Sequence, residues 1–196
     1  MKRIIFATHN SNKVLEIRSL LPAGMEVISL EDAGFHEEIP EPHPTLEANA
    51  REKSLTIYRL TGEDCFSEDT GLEVDALDGA PGVLSARYAG PQKSAADNVK
   101  KLLSNLQGVT DRSAQFRTVV SLYLDGVEYQ FEGSCQGHIA PSSSGTGGFG
   151  YDPVFVPLGA SRTFAEMDLS EKNKYSHRAK AVAKLMAFLK VRSLNS

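Results

Sequence analysis

The stretch Ser67–Gly90, SEDTGLEVDALDGAPGVLSARYAG, decides how the rest of the chain is read. It carries Glu68, Asp69, Glu73, Asp75 and Asp78 with four glycines spaced among them. Leu72, Val74 and Ala76 alternate with Glu73 and Asp75, the period of a strand with one buried face. Asp64–Ser67 reads as a short strand running into an acidic corner, Glu68-Asp69-Thr70-Gly71. Such a corner at a strand end suits Mg²⁺, which takes oxygen ligands and keeps several waters. The same residues also build plain turns, because Asp bonds nearby backbone and Gly accepts positive φ. By itself the corner does not choose between the two.

Composition narrows the field. The chain has 196 residues, 41% hydrophobic and 23% charged, which suits one globular domain over 1–196 and argues against disorder. A net charge of −4 argues against a broad nucleic-acid surface, so a phosphate ligand would need local positive groups. No apolar run approaches membrane-spanning length, and Met1-Lys2-Arg3 leads into a strand, not a signal-peptide core. Cys65 and Cys135 lack metal-type spacing and read as free thiols, so the expected compartment is the cytoplasm.

The first βα junction is informative. After the apolar strand Ile4–Ala7 come Thr8, His9, Asn10, Ser11, Asn12 and Lys13, then a helix over Lys13–Leu21 with Val14, Ile17, Leu20 and Leu21 on one face. Thr, Asn and Ser cap helices and leave backbone N–H groups exposed, and Lys13 adds positive charge. That combination suits a polyphosphate as well as it suits an ordinary cap. It is not a Walker A loop, since the glycines are absent.

Further along, Glu26–Leu30 reads as a strand, and Thr45 caps a helix that Gly62 ends. The inner face of that helix carries Leu46, Ala50, Ser54 and Ile57, with Asn49 and Lys53 on or beside it. Glu41 and Lys53 can each point toward the acidic corner or into solvent. Ser94 caps a helix through Leu106, and Asp125-Gly126 joins strands Ala114–Leu124 and Val127–Ser134 as a hairpin. The Ser/Gly tract from Ser142 leads into Phe149-Gly150-Tyr151-Asp152 and a strand Val154–Val156, which favours an ordered loop over a linker. Asp168–Tyr175 is a charged segment containing Lys172. Ser176 caps the last helix, His177–Val191, and places His177 and Arg178 where cations oppose the helix dipole. The pattern of elements is α/β with a mixed sheet.

Jointly these parts describe a site for a nucleotide bearing several phosphates. The strings ATHNSNK, SEDTGLEVDALDGAPGVLSARYAG, GTGGFGYDPVF and SHRAKA, in this order, resemble the inosine/xanthosine triphosphate pyrophosphatase (ITPase) family over nearly the whole chain. The resemblance implies an elongated mixed sheet flanked by helices, in two lobes with an active-site cleft between them, and a homodimer. It implies hydrolysis of deaminated purine nucleoside triphosphates (ITP, dITP, XTP) to monophosphate and pyrophosphate. By motif, Thr8 to Lys13 would hold the phosphates, and Asp69 would be Mg²⁺ ligand and general base. Glu41 matches an acidic residue near the metal, Lys53 a lysine facing the phosphates, and Thr70 a substrate contact. Phe149, Gly150, Tyr151, Asp152, Lys172, His177 and Arg178 would line the base and sugar. Two other readings stay open: a pyrophosphatase for other modified nucleotides, and a nucleotide-sensing module without turnover.

Overall fold

Alternating β and α segments fold into a mixed sheet with helices against it. The computed structural model describes residues 2–194. Its elements are β1 (Lys2–Phe6), α1 (Ser11–Leu20), β2 (Met25–Ser29), α2 (Leu46–Thr61), β3 (Cys65–Val74) and β4 (Pro81–Gly82). They continue with α3 (Ala95–Asn105), β5 (Ser113–Leu124), β6 (Val127–Ile139), β7 (Phe155–Pro157), α4 (Leu169–Tyr175) and α5 (His177–Leu194). The seven-stranded sheet runs β2-β1-β3-β5-β6-β7, with β4 beside β3. β1 pairs parallel with β2 and β3, while β4 and β7 pair antiparallel with β3 and β6.

Local signals set most element ends. Asn10 caps α1 by accepting from Lys13 N, and Thr45 caps α2 by accepting from Ala48 N. Gly62 closes α2 in the left-handed conformation, which costs glycine nothing sterically. Asp125 and Gly126 both take positive φ, as a two-residue hairpin of this twist requires.

The chain divides into two compact units whose boundaries fall inside strands and, between His177 and Arg178, inside the first turn of α5. One comprises Met1–Asp69, Thr118–Gly133 and Arg178–Ser196; the other comprises Thr70–Arg117 and Ser134–His177. No composition shift marks these boundaries, because they cut β3, β5, β6 and the start of α5 instead of linkers.

In the first unit the sheet is covered on both faces. Ile4, Phe6, Phe66, Val120 and Leu122 pack with Val14 and Ile17 of α1 and Ala181, Val182 and Leu185 of α5. On the opposite face Ile5, Ala7, Cys65 and Tyr123 pack with Ile57 of α2. A strand buried on both faces reads as continuously apolar, not alternating. In the second unit Leu72, Val74, Leu102, Phe116, Phe155 and Phe164 form a separate core.

The acidic corner is not a corner. Glu68, Asp69, Thr70 and Gly71 lie in the middle of the ten-residue strand β3. Gly71 is required for close approach: a Cβ there would stand 2.8 Å from the Gly82 carbonyl oxygen. The residue types that suggested a turn serve packing and charge pairing instead. The charged segment 168–175 likewise proves to be a short helix, α4, capped by Asp168.

Candidate active site

Alternation along β3 distributes its side chains between two helical layers. Cys65, Ser67 and Asp69 face α2, where Cys65 Sγ donates to Ser54 O, Ser67 Oγ donates to Ala50 O, and Lys53 Nζ donates to Asp69 Oδ1 at 3.0 Å. Phe66 and Glu68 face α1 and α5. Phe66 stacks on Phe6, and Glu68 meets Lys13 and Arg178.

On the α2 side, Lys53 is the shared partner of two carboxylates. Its ammonium donates to Glu41 Oε1 at 2.5 Å as well as to Asp69. Asn49, one helical turn earlier and fully buried, fixes the loop that carries Glu41. It accepts from His43 N at 2.9 Å and donates to His43 O at 3.0 Å. Burial opposes the charge on Lys53, yet Asp69 and Glu41 outweigh it and hold the ammonium above its ordinary pKa. For Asp69 burial wins, and its pKa is raised despite the nearby Lys53 and Lys13.

On the other face a buried network centres on Arg178, which is 1% exposed. Its Nε donates to both oxygens of Glu68, at 3.0 and 2.8 Å, Nη2 donates to Glu68 Oε1 at 2.7 Å, and Nη1 donates to Glu16 Oε2. Lys13 Nζ lies 3.1 Å from Glu68 Oε1. Burial works against the Glu68 charge, but Arg178 and Lys13 prevail and hold its carboxyl far below the usual range. These pairs explain why the helix tolerates a cation at its N-terminus: two carboxylates offset the unfavourable dipole.

In the α1 junction, Asn10 N donates to Thr8 Oγ1 and His9 Nε2 donates to Glu37 O. Ser11 and Asn12 open the helix and are exposed. Among the described residues of the first unit, Glu16, Glu41, Glu68 and Asp69 therefore meet Lys13, Lys53 and Arg178. Four carboxylates against three cations leave an excess negative charge.

Asp69 and Glu41 offer hard oxygens of the kind Mg²⁺ takes with one or two carboxylates plus substrate phosphates, and both are bonded to the Lys53 ammonium. Among the described residues no group of three or more His, Cys, Asp or Glu forms a ready-made cage.

The second unit gathers the other predicted residues, with Thr70 half-buried where its share of β3 begins. Asp152 Oδ2 accepts from Lys172 Nζ at 2.6 Å and from Phe149 N at 2.8 Å. Gly148 makes this possible, since a Cβ there would lie 2.0 Å from Asp152 Oδ2. The Lys172 ammonium stands 5.2 Å from the centres of the Phe149 and Phe164 rings, within cation–π range. Gly150 takes positive φ in the turn. The Tyr151 ring belongs to the core, and its hydroxyl donates to Ser85 O at 2.9 Å. His177 stacks on Phe116 with centroids 4.6 Å apart; its Nδ1 is buried without a hydrogen bond among the described residues.

Sequence reasoning assigned no role to Glu16 or Asn49. Glu16 follows Lys13 by one helical turn and looks like a solvated surface acid. Its partner lies 162 positions away, beyond any local pattern.

A mixed sheet with helices on its faces carries a lysine–carboxylate cluster and a lysine beside aromatic rings, which makes the protein an α/β one with buried charged groups on its strands and loops. The chain belongs to the Ham1 family, whose profile matches residues 4–188. It is 50% identical over 187 residues to a dITP/XTP pyrophosphatase of Flavobacterium johnsoniae, covering 95% of this chain and 97% of that one. A dITP/XTP pyrophosphatase of Bacillus subtilis is 44% identical over 193 residues, covering 96% and 98%. Among solved structures, the Staphylococcus aureus Ham1 protein superposes with a TM-score of 0.87 at 37% identity, covering 97% of this chain and all of that one.

Proposed function

We propose that this protein hydrolyses deaminated purine nucleoside triphosphates (ITP, dITP and XTP) to the monophosphate and pyrophosphate. The observation that carries this reading is the Lys53 ammonium seated between Asp69 and Glu41, in a chain half-identical to a dITP/XTP pyrophosphatase. Expulsion of pyrophosphate builds charge on the bridging oxygen, and preorganised cations lower that barrier most. Lys53 and Lys13 supply such charge, and the N–H groups at the start of α1 suit phosphate oxygens. Asp69 orients the attacking water and accepts its proton. Asp69 and Glu41 would hold Mg²⁺, which when bound neutralises phosphate charge and polarises water.

In the second unit Phe149 offers a ring to stack on a base, and Lys172, oriented by Asp152, offers a donor. Hypoxanthine and xanthine present a 6-oxo acceptor and an N1–H donor, where adenine presents the reverse. A site of buried donors rejects the wrong pattern, because its polar groups are left unpaired. Donation to the 6-oxo group from Arg178, which bonds Glu68 and Glu16, belongs to this proposal.

A homodimer in the cytoplasm completes the reading. The two free, buried thiols Cys65 and Cys135 support a reducing compartment, and among the described residues no helix is long and apolar enough to cross a membrane. The test is pyrophosphate release from ITP, dITP, XTP, GTP, ATP and modified pyrimidine triphosphates, with Mg²⁺ and after exhaustive chelation. The expected result is metal-dependent turnover, with the deaminated purines ahead. Preference for a pyrimidine would overturn the substrate, and full turnover without a divalent cation would overturn the metal.

A further inference from the structure

Behind the site, helix α2 is fastened to the sheet by a second polar cluster that takes no part in the proposed chemistry. Its centre is Glu128 of β6, whose side chain is 17% exposed. Glu128 Oε2 lies 3.0 Å from Arg51 Nε, and Oε1 accepts from Ser121 Oγ at 3.0 Å and from Gln130 Nε2 at 2.8 Å. Ser121 and Ser54 are both fully buried, with their hydroxyl oxygens 2.8 Å apart. A carboxylate accepts, so the Ser121 proton points to Glu128, and the Ser54 hydroxyl has Ser121 Oγ together with Ala50 O at 3.3 Å and Arg51 O at 3.1 Å as acceptors. Gln130 Nε2 also donates to Glu47 O at 3.3 Å. Positions 47, 51 and 54 of one helix face therefore end, directly or through one residue, on a single carboxylate.

We infer that Glu128 is a positioning residue for Lys53: it sets the rotation and height of α2 from which the ammonium reaches Asp69 and Glu41. Lys53 lies between Arg51 and Ser54 in the helix, and its side chain is 9% exposed, so packing leaves it little freedom to correct a displaced backbone. The Ser67 hydroxyl, bonded to Ala50 O two residues before Asp69, ties the same helix to β3. Release of the Glu128 anchor lets α2 shift against Asp69 of β3, taking with it Lys53 and, through Asn49, the loop that carries Glu41. The inference rests on the reading of Lys53 as a group acting at the reacting phosphates.

The test measures dITP hydrolysis with Mg²⁺, well below the melting temperature, for Glu128→Gln and Ser121→Ala, each alone and in a Lys53→Ala background. Small displacements of positioned groups cost rate steeply, so kcat should fall roughly tenfold or more in Glu128→Gln, with KM changed less than about twofold. Ser121→Ala, which keeps the Arg51–Glu128 pair and guards against a misfolded Glu128 variant, should shift kcat the same way. Neither substitution should reduce rate further once Lys53 is gone, because both act through it. An unchanged kcat, a loss confined to KM, or an equal proportional loss in the Lys53→Ala background would overturn the inference. Wild-type kcat in Lys53→Ala alone would instead overturn the reading of Lys53, and that result does not depend on Glu128.

Discussion

Glu68 and Asp69 are adjacent in β3 yet belong to different charge networks: Glu68 bonds Arg178 beneath α1 and α5, and Asp69 bonds Lys53 beneath α2. One residue of strand separates a carboxylate whose proton affinity is lowered from one whose affinity is raised. The two should therefore respond oppositely to the same change, carboxylate to amide.

Asp69→Asn removes a charge that burial already disfavours, and Lys53 keeps Glu41 as partner. Stability should change little, while turnover falls by about 10²–10⁴, the usual worth of a general base. Pyrophosphate release measured beside the melting curve checks this. Near-normal turnover would remove Asp69 from the chemistry.

Glu68→Gln should do the reverse to the fold. It leaves Arg178 and Lys13 with an amide where a buried anion stood, and breaking one partner of such a pair costs about 3–5 kcal/mol. Urea unfolding of the two variants side by side gives the comparison. If Glu68→Gln were as stable as Asp69→Asn, the network around Arg178 would carry no net stability.

Arg178→Ala is a poor probe, because it strands two buried acids. Arg178→Lys keeps a positive charge for Glu68 and Glu16 while losing the planar fork. If Arg178 also donates to the 6-oxo group, the ITP/ATP ratio of kcat/KM should fall about tenfold, the equivalent of ~1.4 kcal/mol. An equal proportional loss for both substrates would confine Arg178 to holding the fold.

Cys65 supplies a pH-dependent test away from the site. Burial pushes its thiol up to about 12, with the Asp64 charge adding to the effect. The unfolded thiol ionises near 8.5, so the stability linked to this group is intact below roughly pH 8.5 and is lost progressively as pH rises toward the folded value. Native protein at pH 8.5 should resist iodoacetamide at Cys65 and react promptly in urea, as read by peptide mass. Rapid labelling of the native form would mean the thiolate is accessible.

Much of this was legible in the residues. Thr45, Gly62, Ser94 and the pair Asp125-Gly126 mark element ends by local chemistry, and the structure follows them. The stretch Glu68–Gly71 misled because Asp and Gly are turn residues by composition, whereas Gly71 answers to the Gly82 backbone eleven residues on. Helix α4 was hidden by its length and charge, although Asp168 followed three residues later by Glu171 is a capping signal. Arg178 looked like a cation awaiting a ligand because its partners, Glu68 and Glu16, are 110 and 162 positions away. Helical period gives no warning of such pairs.

Two adjacent acids on one strand also bear on how β3 finds its register. A slip by one residue turns every side chain to the other face. Here a slip that brings Glu68 to the place of Asp69 carries Asp69 on to that of Thr70, and the opposite slip brings Asp69 to the place of Glu68, so either error still gives one of the two cations a carboxylate and charge opposes it only in part. The neighbours supply the discrimination. Phe66 would leave its stack on Phe6, now 4.5 Å between centroids, and Ser67 would enter the apolar layer beside Val120 and Leu122. The fidelity of a charged strand thus depends on neighbours that carry no charge: the Phe66 ring, the Ser67 hydroxyl and Gly71, whose place against the Gly82 backbone no side chain can take.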